Sequence, residues 1–201
     1  MPGVDRRMLD RIGGEVARAT TIVRYAPRSS FSEHTHSGGE EFIVLEGIFQ
    51  DEHGDYPAGT YVRNPIGTRH VPRSDHGCTI FVKLWQFDPS DDRQIAVDLN
   101  ATLPVPDSVH PNFARQLLHQ FGDEHVWLEY WPASSAVAID AAGGAELLVL
   151  EGSLTFDGES FGLNDWIRLP ASHSAEMISG PDGARIWVKT GHLTHVSAPR
   201  V

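Results

Sequence analysis

Short runs of apolar, β-branched and aromatic residues recur along the chain, among them residues 42–45, 79–87, 147–150 and 186–189. Turn-forming residues separate them: Ser37-Gly38-Gly39, His53-Gly54-Asp55 and Pro57-Ala58-Gly59 early on, Asp157-Gly158-Glu159 and Pro181-Asp182-Gly183 later. Many short strands at such spacing predict an all-β sandwich or barrel. Two stretches, 4–12 before Gly13-Gly14 and 112–121 before Gly122, read as short helices stopped by glycine.

The pattern occurs twice. Tyr25-Ala-Pro-Arg-Ser-Ser matches Tyr130-Trp-Pro-Ala-Ser-Ser, and Val44-Leu45-Glu46-Gly47 matches Val149-Leu150-Glu151-Gly152, at a constant offset of 105. Glu41, Arg63 and Pro65 meet Glu146, Arg168 and Pro170 at the same offset, and one inserted residue later Lys83 meets Lys189. The expected organisation is a first domain over 1–90, a connector over 91–111 with one strand around 95–99, and a second domain over 112–201.

Composition narrows the chemistry. The chain has 201 residues and a formal charge of −11, a field that repels polyanions, so nucleic acid is not an expected partner. Cys78 is the single cysteine, which excludes an internal disulfide and any multi-cysteine metal site; a metal must rest on histidine and carboxylate. The N-terminal residues develop no apolar signal-like run and no stretch approaches a membrane span, so a cytoplasmic location without membrane association is expected.

Three of the 11 histidines and one glutamate stand apart: His34 and His36, then Glu40 beyond two glycines, then His70. Residues two apart on a strand share a face, so His34 and His36 present their imidazoles to one point. The glycines let the chain bend Glu40 toward it, and His70 arrives from another strand. Three imidazoles and a carboxylate make a divalent-metal site. His53, His76, His110, His119, His125, His192 and His195 fit no spacing pattern and are expected at the surface.

These residues resemble the cupin superfamily. Its first motif is met by His34, His36, Glu40 and Gly47, with Arg28 where a turn glycine is usual; its second is met by Gly59, Pro65, Gly67 and His70, with Ser74 where an asparagine is usual. The run Gly39-Glu-Glu-Phe-Ile-Val-Leu-Glu-Gly, the following Asp51-Glu-His-Gly-Asp-Tyr and the strand from Gly77 to Lys83 look like the ChrR-like cupins, a group that includes the sensor half of a bacterial anti-sigma factor and small metal-dependent dioxygenases. The resemblance implies a tandem cupin: two double-stranded β-helix, or jelly-roll, barrels with a few short helices, the metal inside the first.

The second copy acts as a control on the first. His34, His36, Glu40 and His70 fall opposite Ile139, Ala141, Ala145 and Ala175, so the second domain is expected to be metal-free. Glu41 persists as Glu146 while Glu40 becomes Ala145, which makes Glu40 the ligand and Glu41 a structural group, expected to pair with Lys83 across neighbouring strands. Phe42, Tyr61, Phe81 and Trp85 are core residues or a lining for the metal pocket, and Cys78 is expected to be a buried small residue.

Three histidines and a glutamate suit Fe, Zn, Mn or Ni. With six-fold coordination two positions stay open, and the expectation is a stand-alone bicupin enzyme, an Fe(II)-type dioxygenase-like oxygenase acting on a small chelating oxygenated molecule. With a closed zinc site the alternative is a ligand- or stress-sensing module related to the ChrR cupin domain. The anti-sigma architecture implies a further N-terminal helical domain, for which a first β unit starting near residue 15 is expected to leave no room. The partners expected are a small-molecule ligand or substrate and, compatibly, a second copy of the chain; no residue is assigned a catalytic role.

Overall fold

The computed structural model describes residues 3–101, 104–106 and 113–199. All their regular structure is β, and no helix among the described residues is long and apolar enough to cross a membrane. Contacts divide the chain near residue 101, with described residues up to Ala101 in an N-terminal unit and those from 104 to Val196 in a C-terminal unit.

The N-terminal unit contains β1 (Val4–Gly13), β2 (Ala17–Tyr25), β3 (Ser29–Ser30), β4 (His34–Thr35), β5 (Glu40–Gln50), β6 (Asp55–Pro57), β7 (Thr60–Asn64), β8 (Arg69–His70), β9 (Arg73–Ser74), β10 (Cys78–Leu84) and β11 (Ile95–Asp98). Its main sheet runs β1-β2-β10-β5-β7-β11. Alternation along the strands decides what lies inside: Phe42, Val44, Val62, Ile80 and Val82 join Val23, Tyr25 and Phe49 in one core cluster, while Glu41, Ile43, Tyr61, Arg63, Phe81 and Lys83 take the other face. Cys78 is buried in that core, as expected.

The C-terminal unit contains β12 (Val105–Pro106), β13 (Ala114–Phe121), β14 (Glu124–Trp131), β15 (Ala136–Ala141), β16 (Ala145–Phe156), β17 (Glu159–Phe161), β18 (Trp166–Leu169) and β19 (His173–Thr190). Its sheet runs β12-β13-β14-β19-β16-β17, with β15 paired to β19 and β18 to β16.

The two expected helices are strands. β1 pairs with β2 from Val4 opposite Tyr25 to Gly13 opposite Ala17, and β13 pairs with β14 from Ala114 opposite Tyr130 to Phe121 opposite Glu124; residue 112 lies outside the described residues. The glycines that read as helix stops are turn residues at the ends of strands, with φ of 124° at Gly13 and 54° at Gly122. Cross-strand pairing outweighs local preference here. The strand expected in the connector forms as β11 and pairs with β7. Two histidines expected at the surface are enclosed: His119 is 1% exposed, because β13 is a strand with a buried face, and the His192 side chain is 4% exposed. His110 lies outside the described residues.

The duplication extends to irregularities. A bulge between Met8 and Asp10 in one unit recurs between Leu117 and His119 in the other. Gly47 and Gly152 have φ of 71° and 70°, and a Cβ on either would lie 2.1 Å from the carbonyl oxygen of Gly77 or Gly183, so only glycine fits. The repeat also slips. Cys78 faces Tyr25, whereas Ala184 faces Trp131. Trp131, and not the matching Tyr130, therefore stands where Tyr25 stands, and by the same register Glu129 takes the place of Val23. The turn that follows has a left-handed residue in both units, Arg28 at φ 62° and Ser134 at φ 50°. Arg28 thus stands in the left-handed region that favours glycine.

Candidate metal centre

Two very short strands bring the histidines together. β4 pairs with β8, setting His34 directly opposite His70. His36 follows β4, its backbone N–H donating to the Thr68 carbonyl at 2.8 Å. The chain then turns through Gly39, at φ 74°, where a Cβ would run into the Phe87 ring at 2.4 Å. That turn delivers Glu40 at the start of β5.

The four side chains meet at one point. His36 Nε2 and His70 Nε2 are 3.1 Å apart. Glu40 Oε2 lies 3.3 Å from the first and 3.5 Å from the second. The His34 ring centroid is 5.2 Å from that of His36 and 5.0 Å from that of His70. One ligand atom from each residue can be chosen so that all lie within 4.8 Å of one another. His36, Glu40 and His70 are buried and His34 is exposed, so the cluster has one side open to solvent.

Each imidazole is held from behind. His70 Nδ1 is 3.1 Å from Asp51 Oδ2, His36 Nδ1 is 2.9 Å from Thr68 Oγ1, and His34 Nδ1 is 3.2 Å from the Ser32 carbonyl. Thr68 gives its own hydroxyl hydrogen to the Pro65 carbonyl at 2.6 Å, so toward His36 it accepts. All three acceptors call for a proton on Nδ1, which leaves every Nε2 with a lone pair, and those of His36 and His70 face one another. Two neutral Nε2 atoms 3.1 Å apart repel one another unless a cation or proton lies between them. The donor set, three imidazole nitrogens and one carboxylate, fits a divalent transition ion.

The surrounding charges differ at each ring. Burial lowers the His36 pKa, aided by the neighbouring imidazoles and opposed by Glu40. Burial also works against charge on His70, but the hydrogen bond to Asp51 and the carboxylates of Glu40 and Asp51 outweigh it and raise its pKa. Asp51 sits below the usual range despite its burial, because His70 and the N–H groups of His53 and Gly54 donate to it. Burial and the Asp51 carboxylate push the Tyr56 phenol up to about 12. Asn64 Nδ2 donates to Glu40 Oε2 at 3.3 Å.

The residues flanking the centre sort by face. Glu41, one position along from Glu40, accepts from Tyr61 at 2.5 Å and Arg63 at 3.1 Å. Lys83 stands opposite it in the strand register and donates to Thr20 at 2.9 Å. Arg63 is an ionic partner of Glu41 additional to the expected Glu41–Lys83 pairing. Tyr61 and Phe81 lie on this far face, and Phe42 is in the core. The aromatic beside the centre is Phe49, 5.8 Å from the His70 ring. Sequence reasoning missed Asp51, Thr68 and Asn64. Only Asp51 carried a signal, as part of the Asp51-Glu-His-Gly-Asp-Tyr run.

In the C-terminal unit Ile139 faces Ala175 across β15 and β19, as His34 faces His70. Ile139, Ala141 and Ala145 belong to its core cluster and Ala175 packs against it.

Residues 1–88 match the family described as the ChrR cupin-like domain. Among solved structures, a provisionally assigned dioxygenase of Nostoc punctiforme aligns at TM-score 0.74 and 14% identity, over 100% of this chain and 88% of that one. A bacterial pirin of Escherichia coli in complex with nickel(II) aligns at TM-score 0.66 and 14% identity, over 94% of this chain and 93% of that one. A cupin 2 conserved barrel domain protein of Leptotrichia buccalis aligns at TM-score 0.63 and 11% identity, over 94% and 89%. No curated protein matches the sequence.

Proposed function

From the premise that this chain is a cupin-fold protein whose residues 1–88 belong to the ChrR cupin-like family, we propose that its N-terminal unit holds one divalent transition metal on His34, His36, Glu40 and His70 and acts as an Fe(II)-type oxygenase on a small chelating oxygenated molecule. The observation that carries the reading is the convergence of three imidazoles and a carboxylate, with every Nδ1 within hydrogen-bonding distance of an acceptor. When bound there, Fe(II) supplies Lewis acidity and redox reactivity toward dioxygen. The protein's part is to hold the three imidazoles in one tautomer, to keep Glu40 turned inward through Asn64, and to leave the side of exposed His34 for a substrate. The structural neighbours share the fold, and one of them was solved with nickel(II).

Metal analysis of protein purified without chelator, followed by oxygen-uptake measurements with Fe(II) and a panel of β-diketones, tests the reading. Stoichiometric metal and Fe(II)-dependent uptake, both lost in Glu40→Gln, are expected. Firmly held zinc with no turnover would instead support a sensing module, the second reading, which the likeness to a ChrR cupin-like domain favours.

A further inference from the structure

The C-terminal unit has lost the imidazoles, but its interior is not closed. A cavity of about 700 Å³ opens along β13, β14, β15 and the end of β19, walled by Phe113, Trp127 and Val188. Glu129 also lines it. This side chain is 7% exposed and its Oε2 accepts the indole N–H of Trp131 at 2.8 Å.

Accepting the Trp131 indole N–H does not require a carboxylate, since a neutral side-chain oxygen would serve. In the duplicate unit the same register position is Val23, a member of the apolar core. Burying a carboxylate in place of a valine is costly: burial raises the affinity of Glu129 for a proton, and the Trp131 hydrogen bond and the charge of Arg115 offset this only in part. Arg115 lines the cavity too, and its guanidinium lies 4.5 Å from the centroid of the Trp127 ring, so that ring already packs against a cation. The chain as a whole carries −11, which draws cations toward it.

We propose that this cavity is a metal-independent binding site for a small alkylammonium compound, with Glu129 as counter-ion and Phe113 and Trp127 enclosing the apolar part of the ligand. The site is separate from the histidine cluster, and the proposal does not rest on the function proposed for that cluster.

Calorimetric titration of the full chain with n-butylammonium, n-butanol and butyrate tests it, since the three probes share a chain length and differ in charge. Butylammonium is expected to bind saturably and at least about tenfold more tightly than the other two, with the same affinity before and after the protein is stripped by a chelator. Glu129→Gln is expected to remove that preference while leaving the metal content unchanged. Absence of saturable butylammonium binding, equal binding of butanol, or tighter binding of butyrate, as Arg115 would favour, overturns the proposal. So does unaltered preference in Glu129→Gln. Should that variant fail to fold, the three-probe comparison on the native chain still decides.

Discussion

His70 and Asp51, 19 positions apart in the chain, are joined by a 3.1 Å contact between Nδ1 and Oδ2 that fixes which nitrogen of the imidazole faces His36 and Glu40. Asp51 is itself held by the N–H groups of His53 and Gly54 at 2.8 and 3.1 Å, so the ring is oriented by a rigid turn. Such outer partners tune metal affinity by about 10–100-fold. Asp51→Asn keeps all four ligands and one hydrogen-bonding oxygen but loses the charge and admits the flipped amide. Competition against a chromogenic chelator is expected to show metal affinity reduced about 10–100-fold with unchanged stoichiometry. Native affinity in this variant would mean that the carboxylate is a structural cap for the turn alone.

Glu40 and Glu41 are adjacent, both buried, and face opposite ways. Glu40→Gln is expected to abolish stoichiometric metal while leaving the unfolding midpoint of chelator-treated protein close to native. Glu41→Gln removes the charge that Arg63 and Tyr61 contact at 3.1 and 2.5 Å. Arg63 keeps Asp91 at 2.6 Å, so the loss is partial, about 2–4 kcal/mol by urea unfolding, with metal content retained. Metal loss in Glu41→Gln without loss of stability would reverse the roles assigned to the two residues.

The contrast between these carboxylates was legible before any coordinates, because a duplicated chain retains Glu146 and discards the other. The four-residue cluster was legible from the spacing of His34, His36, Glu40 and His70 and its likeness to the cupin motifs, helped by glycines that permit a bend. β1 was not: its pattern of exposed charge and half-buried apolar residues suits a helix as well as an edge strand, and only the neighbouring strand decides. The acceptors behind the imidazoles were hidden too. Thr68 serves His36 from 32 positions away, a relation set by the pairing of β4 with β8 and by no local signal. The one-residue slip between Tyr25 and Trp131 shows the converse: a close match of letters, Tyr-x-Pro against Tyr-x-Pro, conceals a difference in which side chains point inward.

The loss of ligands in the second unit is built into its packing. Ala141 and Ala145 are 0% exposed and lie in the core cluster. Ala141→His adds a ring to filled space, so overpacking and an unsatisfied imidazole together are expected to cost about 2–4 kcal/mol. Urea unfolding followed by fluorescence and circular dichroism checks this. A variant as stable as the native chain would mean that β15 has room to yield, and that re-creating a metal site there is a matter of four substitutions.

Glu129 makes the stability of the C-terminal unit depend on pH. Its pKa is raised above the usual 4.5, first by burial, with the Trp131 hydrogen bond and the charge of Arg115 opposing. A carboxyl that holds its proton more tightly when folded contributes stability that is fully present below its unfolded pKa and lost as the pH rises through the folded value. At neutral pH the native chain therefore bears the cost of a buried anion that Glu129→Gln does not, while glutamine still offers Trp131 an oxygen. The variant is expected to melt at a higher temperature than the native chain at pH 7, and the two curves should converge as the pH falls toward the ordinary carboxylate range. Added butylammonium should close the same gap from the other side, by stabilising the native chain and leaving the variant unmoved. A native chain that melts above Glu129→Gln at pH 7 without any ligand would show that Arg115 already compensates the buried charge, and that the carboxylate is kept for the fold.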